Sequence, residues 1–340
     1  MRPWRQAWKH ALYGTDGFFV REAPRDHFRT SVTASPLLAV ALRRLAGAVD
    51  DALGRPDPFD VVDLGGGRAE LLQALPDVPA RWRLTAVERA PDPGVGVRWL
   101  HDLPRVTGLL LAHEWLDDVP LDVVDDGRLV LVDRDGAEAL GPPASAEAAA
   151  WTRRWWPDGG RVEVGLARDV AWARAVGAVE RGVALAVDYG HVLRPSGSTP
   201  ASHAGPDATR FGGRRTTLTG YRSGRQVRPV PDGSCDVTAH VALDSCAAAT
   251  GARLLDQRTA LRALGVDGVL SPRTAPDYRQ RLQEASQAGT LLDPAGPGGF
   301  GWLVRAVRTA DPLADLRPVP VDTPVATGTA RRSRREAGVA

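Results

Sequence analysis

Apolar positions along the chain alternate between short continuous runs and stretches at helical spacing. Leu37, Leu38, Val40, Ala41, Leu42 and Leu45 follow a helical period, and Ser35-Pro36 ahead of them suits an N-cap with proline in the first turn. Gly54 to Pro58 breaks that pattern, and Phe59 to Leu64 then predicts a strand. Glu70-Leu71-Leu72-Gln73-Ala74-Leu75 predicts a helix after the glycine-rich turn that follows. Further strands are predicted over Arg83 to Glu88, Val97 to Leu100, Gly108 to Ala112 and Val183 to Val187, with Gly301 to Val307 as a last edge strand. The unbroken apolar run at Gly108 to Ala112 fits a strand covered on both faces. Val123-Val124, the turn Asp125-Asp126-Gly127 and Leu129 to Val132 read as a hairpin. Ala146 to Trp156 and Ala167 to Val179 read as helices, with Gly182 after the second. Strands alternating with helices predict a mostly parallel α/β sheet.

Three stretches lack such patterning. Residues 1 to about 35 are polar and dotted with aromatics, without a clear period. Residues 191–235 are rich in Gly, Ser, Thr, Pro and Arg, which predicts a long loop or an elaboration. From Asp311 onward Pro, Arg, Ala and Thr dominate, which predicts a disordered tail. The expected organisation is one domain over 1–310, followed by the tail at 311–340. Within it, 1–55 forms an N-terminal helical cap, 56–190 the cofactor-binding core, and 191–310 the elaboration and final strands. A net charge of +2 argues against a nucleic-acid partner, and the Arg331-Arg332-Ser333-Arg334-Arg335 run fits a solvated tail. Cys235 and Cys246 form neither a disulfide framework nor a zinc pattern, and the histidines have no metal-ligand spacing, so no metal is expected. No run approaches about 20 apolar residues, so no membrane span is expected, and a reducing cytoplasm is the expected compartment. Nothing in the pattern speaks to oligomeric state. Ten tryptophans are an unusual number; Trp151, Trp155 and Trp156 cluster at helical spacing, as a packed helix face or a partner surface.

The candidate chemistry begins at Asp63-Leu64-Gly65-Gly66-Gly67-Arg68-Ala69. A dinucleotide fingerprint requires Gly-x-Gly-x-x-Gly after the first strand, and its third glycine is absent here. What stands instead is acidic-x-Gly-x-Gly, which resembles motif I of class I S-adenosylmethionine (SAM) methyltransferases. A carboxylate at Asp63 would repel a pyrophosphate and attract a positive amino group. Glu88, at the end of the second strand, stands where an acidic residue accepts bonds from ribose hydroxyls. The resemblance also places Asp102, after the third strand, near adenine. Asp63, Gly65, Gly67, Glu88 and Asp102 are therefore the expected cofactor-binding residues, with SAM favoured over NAD.

An ordered set of segments is similar to the MidA-like methyltransferases, the family of the mitochondrial complex I assembly arginine methyltransferase and its bacterial relatives. Leu12-Tyr13-Gly14 and Gly17-Phe18-Phe19 resemble its start. Its Gly-Asp-Phe-x-Thr-Ser reads here Asp26-His27-Phe28-Arg29-Thr30-Ser31, with the Gly and Asp replaced. Its Asn-Glu-x-x-Asp-Ala-Leu-Pro reads His113-Glu114-Trp115-Leu116-Asp117-Asp118-Val119-Pro120. Ala186-Val187-Asp188-Tyr189-Gly190, Thr217-Leu218 with Tyr221, and Asp236-Val237-Thr238-Ala239-His240-Val241 match later motifs, while Gly224 stands near a usual His. The resemblance covers roughly residues 12 to 307. It implies a Rossmann-like class I sheet with helices on both faces and an inserted, substrate-shaping region.

The resemblance further implies a protein arginine as methyl acceptor. A guanidinium is protonated at neutral pH and needs a carboxylate to hold it and take a proton. Glu114 and Asp117 follow an apolar strand at the crevice edge and suit that catalytic role, sharing a face if 114–117 forms a helical turn. Asp117 equally suits a helix N-cap. Asp188, Tyr189 and Tyr221 are the expected substrate residues, though Tyr189 also suits a buried ring with a bonded hydroxyl. The replaced positions Asp26, His27, His113 and Gly224 bear on substrate and activity. A small-molecule methyltransferase, a SAM-binding assembly factor with little activity and, less favoured, an NAD-dependent oxidoreductase stand as alternatives.

Overall fold

The computed structural model describes residues 1–21, 35–157, 159–193, 216–269 and 278–319. Seven strands form the central sheet: β1 (Phe59–Leu64), β2 (Trp82–Val87), β3 (Arg98–Leu100), β4 (Val106–His113), β5 (Val179–Asp188), β6 (Arg253–Asp256) and β7 (Gly301–Val307). Their spatial order is β3-β2-β1-β4-β5-β7-β6. The five strands from β3 to β5 run parallel, while β7 is antiparallel to both β5 and β6. The expected last strand thus has the predicted residues but an interior place. The edge is β6, which the sequence pattern did not reveal.

The pleat decides the two cores. Val61, Leu109, Leu111, Leu185 and Val187 point to one face and pack with Leu38, Leu42 and Leu45 of α1 (Pro36–Ala52). Val62, Leu110, Ala112, Ala184 and Ala186 point to the other and meet Trp172 and Ala175 of α2 (Leu166–Ala178) and Cys246 of α3 (Leu243–Thr250). Burial on both faces explains why these strands read as unbroken apolar runs. Ser35 caps α1 as its position predicts: its hydroxyl accepts from the Leu37 N–H at 3.1 Å, a contact worth about 1 kcal/mol.

Beside this unit lies an antiparallel layer. The expected hairpin forms as Asp122–Asp125 and Arg128–Val132, joined by Arg2–Pro3, Glu138–Pro143 and Arg161–Val164 into five strands. Residues 4–13, predicted without period, are a helix that buries Trp4, Ala7, Trp8, Ala11 and Leu12 against the hairpin. That spacing is helical, but Arg, Gln, Lys and His between these positions hid it in the polar average. Trp151 and Trp155 are buried, so the tryptophan cluster is a packed helix face rather than a partner surface. In the region predicted as a long loop, Thr219–Arg222 and Arg225–Val227 form strands that join Asp236–Thr238, just beyond it, in a three-stranded sheet; 194–215 lie outside the described residues.

The tail expectation fails at its start. Leu313 is buried, and the Val319 N–H donates to the Leu254 carbonyl at 2.8 Å. The Arg253 guanidinium binds the Asp311 carboxylate and the carbonyls of Leu313, Ala314 and Leu316. One arginine on the sheet edge therefore gathers 311–316; residues 320–340 lie outside the described residues.

Candidate functional site

The carboxyl ends of β1 to β5 open on one cavity of about 820 Å³, in the range of small-molecule sites. Chains leave the adjacent strands β1 and β4 in opposite directions there, the position at which open α/β sheets hold ligands. Asp63, Gly65, Gly67, Glu88, Asp102, Glu114, Asp117, Tyr189 and Tyr221 all line it. Asp26 and His27 lie outside the described residues.

At one end, the glycine turn follows β1. Gly65 has φ of +74°, and a Cβ on it would come within 2.5 Å of the Trp115 ring. Gly67 and Ala69 are also left-handed, at +56° and +63°. The following helix, Glu70–Ala74, is only five residues long, so the turn rather than a long helix shapes this end. Asp63 is buried, and burial first, then the charges of Glu88 and Glu70, push its carboxyl up to about 7. Glu88 accepts from the backbone N–H groups of Arg89 at 2.6 Å and Gly67 at 3.3 Å. Burial raises its pKa, and those bonds pull it back. Asp102 is exposed beside His101, whose Nδ1 lies 2.9 Å from the Glu88 carbonyl.

At the other end, the segment after β4 is a bend and turn, not a helix. The N-cap reading of Asp117 is therefore excluded. Glu114 has φ of +49°, sparsely populated for a side chain of its size, and its N–H is held by the Val187 carbonyl at 2.9 Å. Asp117 accepts from the hydroxyls of Tyr189 and of Thr238, the latter at 2.8 Å. Tyr189 thus lines the cavity and has a bonded hydroxyl at once. Asp188 departs from expectation. It does not line the cavity; fully buried beneath it, its carboxylate accepts from the N–H groups of Leu116 (2.9 Å), Asp117 (3.2 Å) and Tyr189 (3.0 Å). It shapes the turn that carries Glu114 and Asp117. Burial raises the pKa of Asp117, Asp118, Asp188 and Asp236; neighbouring carboxylates, Glu114 in the case of Asp117, add to it, and the Arg168 charge pulls the first three back. His113, in the place of the resemblance's Asn, is buried and pulled down to about 4, so it is neutral at pH 7. Gly224 sits in the tip of the 219–227 hairpin at φ of +74°.

The sequence reading missed several residues. Tyr13, Asp118, Asp236 and Thr238 also line the cavity. Arg168, fully buried in α2, donates to the carbonyls of Val119 (3.1 Å), Ala239 (2.9 Å), His240 (2.8 Å) and Asp117. It ties the turn after β4 to the strand carrying Asp236. Its signal was present: Arg168, Trp172 and Ala175 fall on one buried helix face, and an arginine on such a face requires partners.

Comparison with known proteins identifies the family and its cofactor. The profile of a family described as "putative S-adenosyl-L-methionine-dependent methyltransferase" matches residues 80–257, more than half of the chain. A crystal structure of a "likely methyl transferase" from Burkholderia thailandensis bound to S-adenosyl-homocysteine has a TM-score of 0.70 at 25% identity, covering 92% of this chain and 90% of that one. A native crystal structure of an uncharacterized protein of that superfamily, also from Burkholderia thailandensis, has a TM-score of 0.68 at 25% identity, covering 91% and 88%. No curated protein matches. No helix among the described residues is long and apolar enough to cross a membrane. The chain belongs to this family, the MidA-like SAM-dependent methyltransferases, and SAM is its cofactor.

Proposed function

We propose that this chain is a class I SAM-dependent methyltransferase that methylates an arginine side chain of a protein. The observation that carries this reading is the composition of this cavity. Its glycine turn and Glu88 lie at one end, Glu114, Asp117 and Tyr189 at the other, and nine carboxyl residues line it against three arginines. Such a wall selects cations, and both SAM and a guanidinium are cationic. The strand order, with β7 antiparallel between β5 and β6, supports the class I, Rossmann-like assignment. Residues 1–310 are read as one catalytic unit, with 311–316 pinned to its edge.

In this reading Gly65 and Gly67 let the backbone approach the cofactor, Asp63 meets its amino group, Glu88 its ribose hydroxyls and Asp102 its adenine. SAM supplies an electrophilic methyl group on sulfur. Glu114 holds the guanidinium so that one nitrogen lone pair points at that methyl. As the N–C bond forms, the S–C pair stays on sulfur and the nitrogen loses a proton to a carboxylate. Asp117, fixed by Tyr189 and Thr238, stands beside it to take the proton. Asp188 acts through the turn it shapes, and Tyr221 faces the substrate from the accessory sheet.

Two experiments test this. Calorimetric titration should show SAM binding and no NAD binding; no SAM binding at millimolar concentration would sink it. Mass spectrometry of a deletion strain against its parent should show methylarginine peptides that disappear on deletion. They should return with the wild-type gene and not with Glu114→Gln. Methyl groups lost from small molecules instead would move the acceptor to that class.

A further inference from the structure

We infer that Asp118 and Asp236 form an anionic subsite that takes the planar organic cation of the methyl acceptor, a guanidinium, on the accessory-sheet side of the cavity. This rests on the proposed acceptor class and assigns residues that the proposed chemistry leaves unused.

The register builds the subsite. Tyr221 and Asp236 are direct partners across the antiparallel pair, and Thr238 lies two positions beyond Asp236 on the same face. Thr238 donates to Asp117, which brings that face against the turn carrying Asp117 and Asp118. Tyr221, Asp236, Thr238, Asp117 and Asp118 accordingly line one cavity. Tyr13 and Phe19 line it too, their rings 5.7 Å apart, and the Arg89 guanidinium over the Tyr13 ring shows that this aromatic wall accepts a flat cation.

Hydrogen bonding there is incomplete. Asp117, Asp118 and Asp236 each keep a buried oxygen, Oδ1, without a hydrogen-bond donor, although Asp117 and Asp236 are only 5% and 2% exposed. Leaving a buried acceptor unpaired costs about 1–3 kcal/mol, more for charged groups. Among the described residues no arginine donates a hydrogen bond to these oxygens. Arg168 directs its N–H groups at four carbonyls, Arg21 donates to the Gly233 carbonyl at 2.7 Å, and Arg89 lies over the Tyr13 ring at 4.9 Å. Burial and the neighbouring carboxyls hold both Asp118 and Asp236 well above the usual carboxylate range, and the Arg168 charge offsets only part of this at Asp118. Among the described residues no group of three or more His, Cys, Asp or Glu is disposed to hold a metal ion. The missing partner is therefore larger, with N–H donors spread over a plane, and a guanidinium has five.

The test uses the full chain saturated with S-adenosyl-homocysteine, titrated calorimetrically with Nα-acetyl-arginine amide and with the uncharged citrulline analogue. The arginine probe should bind wild type at least tenfold tighter than the citrulline probe. Asp236→Asn and Asp118→Asn should each weaken the arginine probe at least tenfold. Both should keep S-adenosyl-homocysteine affinity within twofold and an unlowered Tm, because each removes a buried carboxyl whose ionisation the fold disfavours. Equal binding of the two probes to wild type, no binding of either, or full arginine-probe affinity in both variants would overturn the subsite. Failure of wild type to bind S-adenosyl-homocysteine would instead strike the cofactor reading.

Discussion

The two ends of the cavity solve opposite problems. The cofactor end is assembled from consecutive residues at adjacent strand ends, and its acids are separated by backbone: Glu88 is satisfied by N–H groups of Gly67 and Arg89. The acceptor end gathers Asp117, Asp118, Asp188 and Asp236 from three distant segments and sets a buried arginine beneath them. The first end is a surface that backbone conformation prepares. The second is a stressed cluster in which like charges are held together by the fold. Substitutions at the first should therefore act on cofactor affinity, and substitutions at the second on turnover and stability.

The largest effect is expected at Glu114. Glu114→Gln keeps the shape and removes the charge, so methyl transfer should fall by about 10²–10⁴-fold while SAM affinity stays within about twofold. Steady-state transfer of labelled methyl to the acceptor, beside a calorimetric titration, reads both; wild-type turnover would remove Glu114 from the chemistry. Arg168→Met comes next. It leaves four carbonyls and the acid cluster without their buried cation, which should cost about 3–5 kcal/mol in urea unfolding. A loss below 1 kcal/mol would show that the acid cluster does not depend on Arg168. Gly65→Ala belongs to the other end. A left-handed alanine costs about 1–2 kcal/mol, and the added Cβ meets the Trp115 ring. Where the free loop relaxes to relieve about 2 kcal/mol and SAM must restore the wild-type turn, SAM affinity should fall roughly 30-fold. Unchanged affinity would show that the glycine serves the turn and not the ligand.

The same contrast explains what could be read in the sequence. The central strands, the helix at Ser35-Pro36 and the glycine turn were legible because local pattern and tertiary role agree there. Asp63, Gly65, Gly67 and Glu88 sit at strand ends that periodicity locates, and the cavity contains them all. Asp236 stood in plain view within a motif, yet its place opposite Tyr221 depends on the register of a three-stranded sheet. The other two strands of that sheet lie in a stretch whose composition reads as loop. Asp188 was misassigned for a related reason. The end of β5 points at the crevice, but its side chain turns under the neighbouring loop and accepts three N–H groups. Long-range hydrogen bonds of this kind leave no periodic trace. Edge strand β6 and residues 311–316 were hidden likewise, since one arginine, Arg253, recruits a Pro-rich segment that has no pattern of its own.

The smallest effect is one of pH, and it tests whether Asp63 acts as a charge. Its carboxyl, raised to about 7 in the folded chain by burial and by Glu88 and Glu70, sits near 4 when unfolded. Burial favours the protonated form, so this group's contribution to stability is whole below about pH 4 and is lost as pH rises through about 7. Cofactor binding runs the other way. An ammonium pairs with the ionised carboxylate, so below pH 7 binding must displace a proton from Asp63. SAM affinity should then rise by up to about tenfold per pH unit toward 7 and level off above it. Asp63→Asn should weaken binding at pH 8, flatten the rise from pH 5.5 to 7, and make the unliganded chain more stable at pH 8. Calorimetry across that range, with unfolding curves at its two ends, measures all three. If the slope survives in Asp63→Asn, the titrating group is Glu88 or the ligand itself, and Asp63 does not act as a charge at the cofactor end.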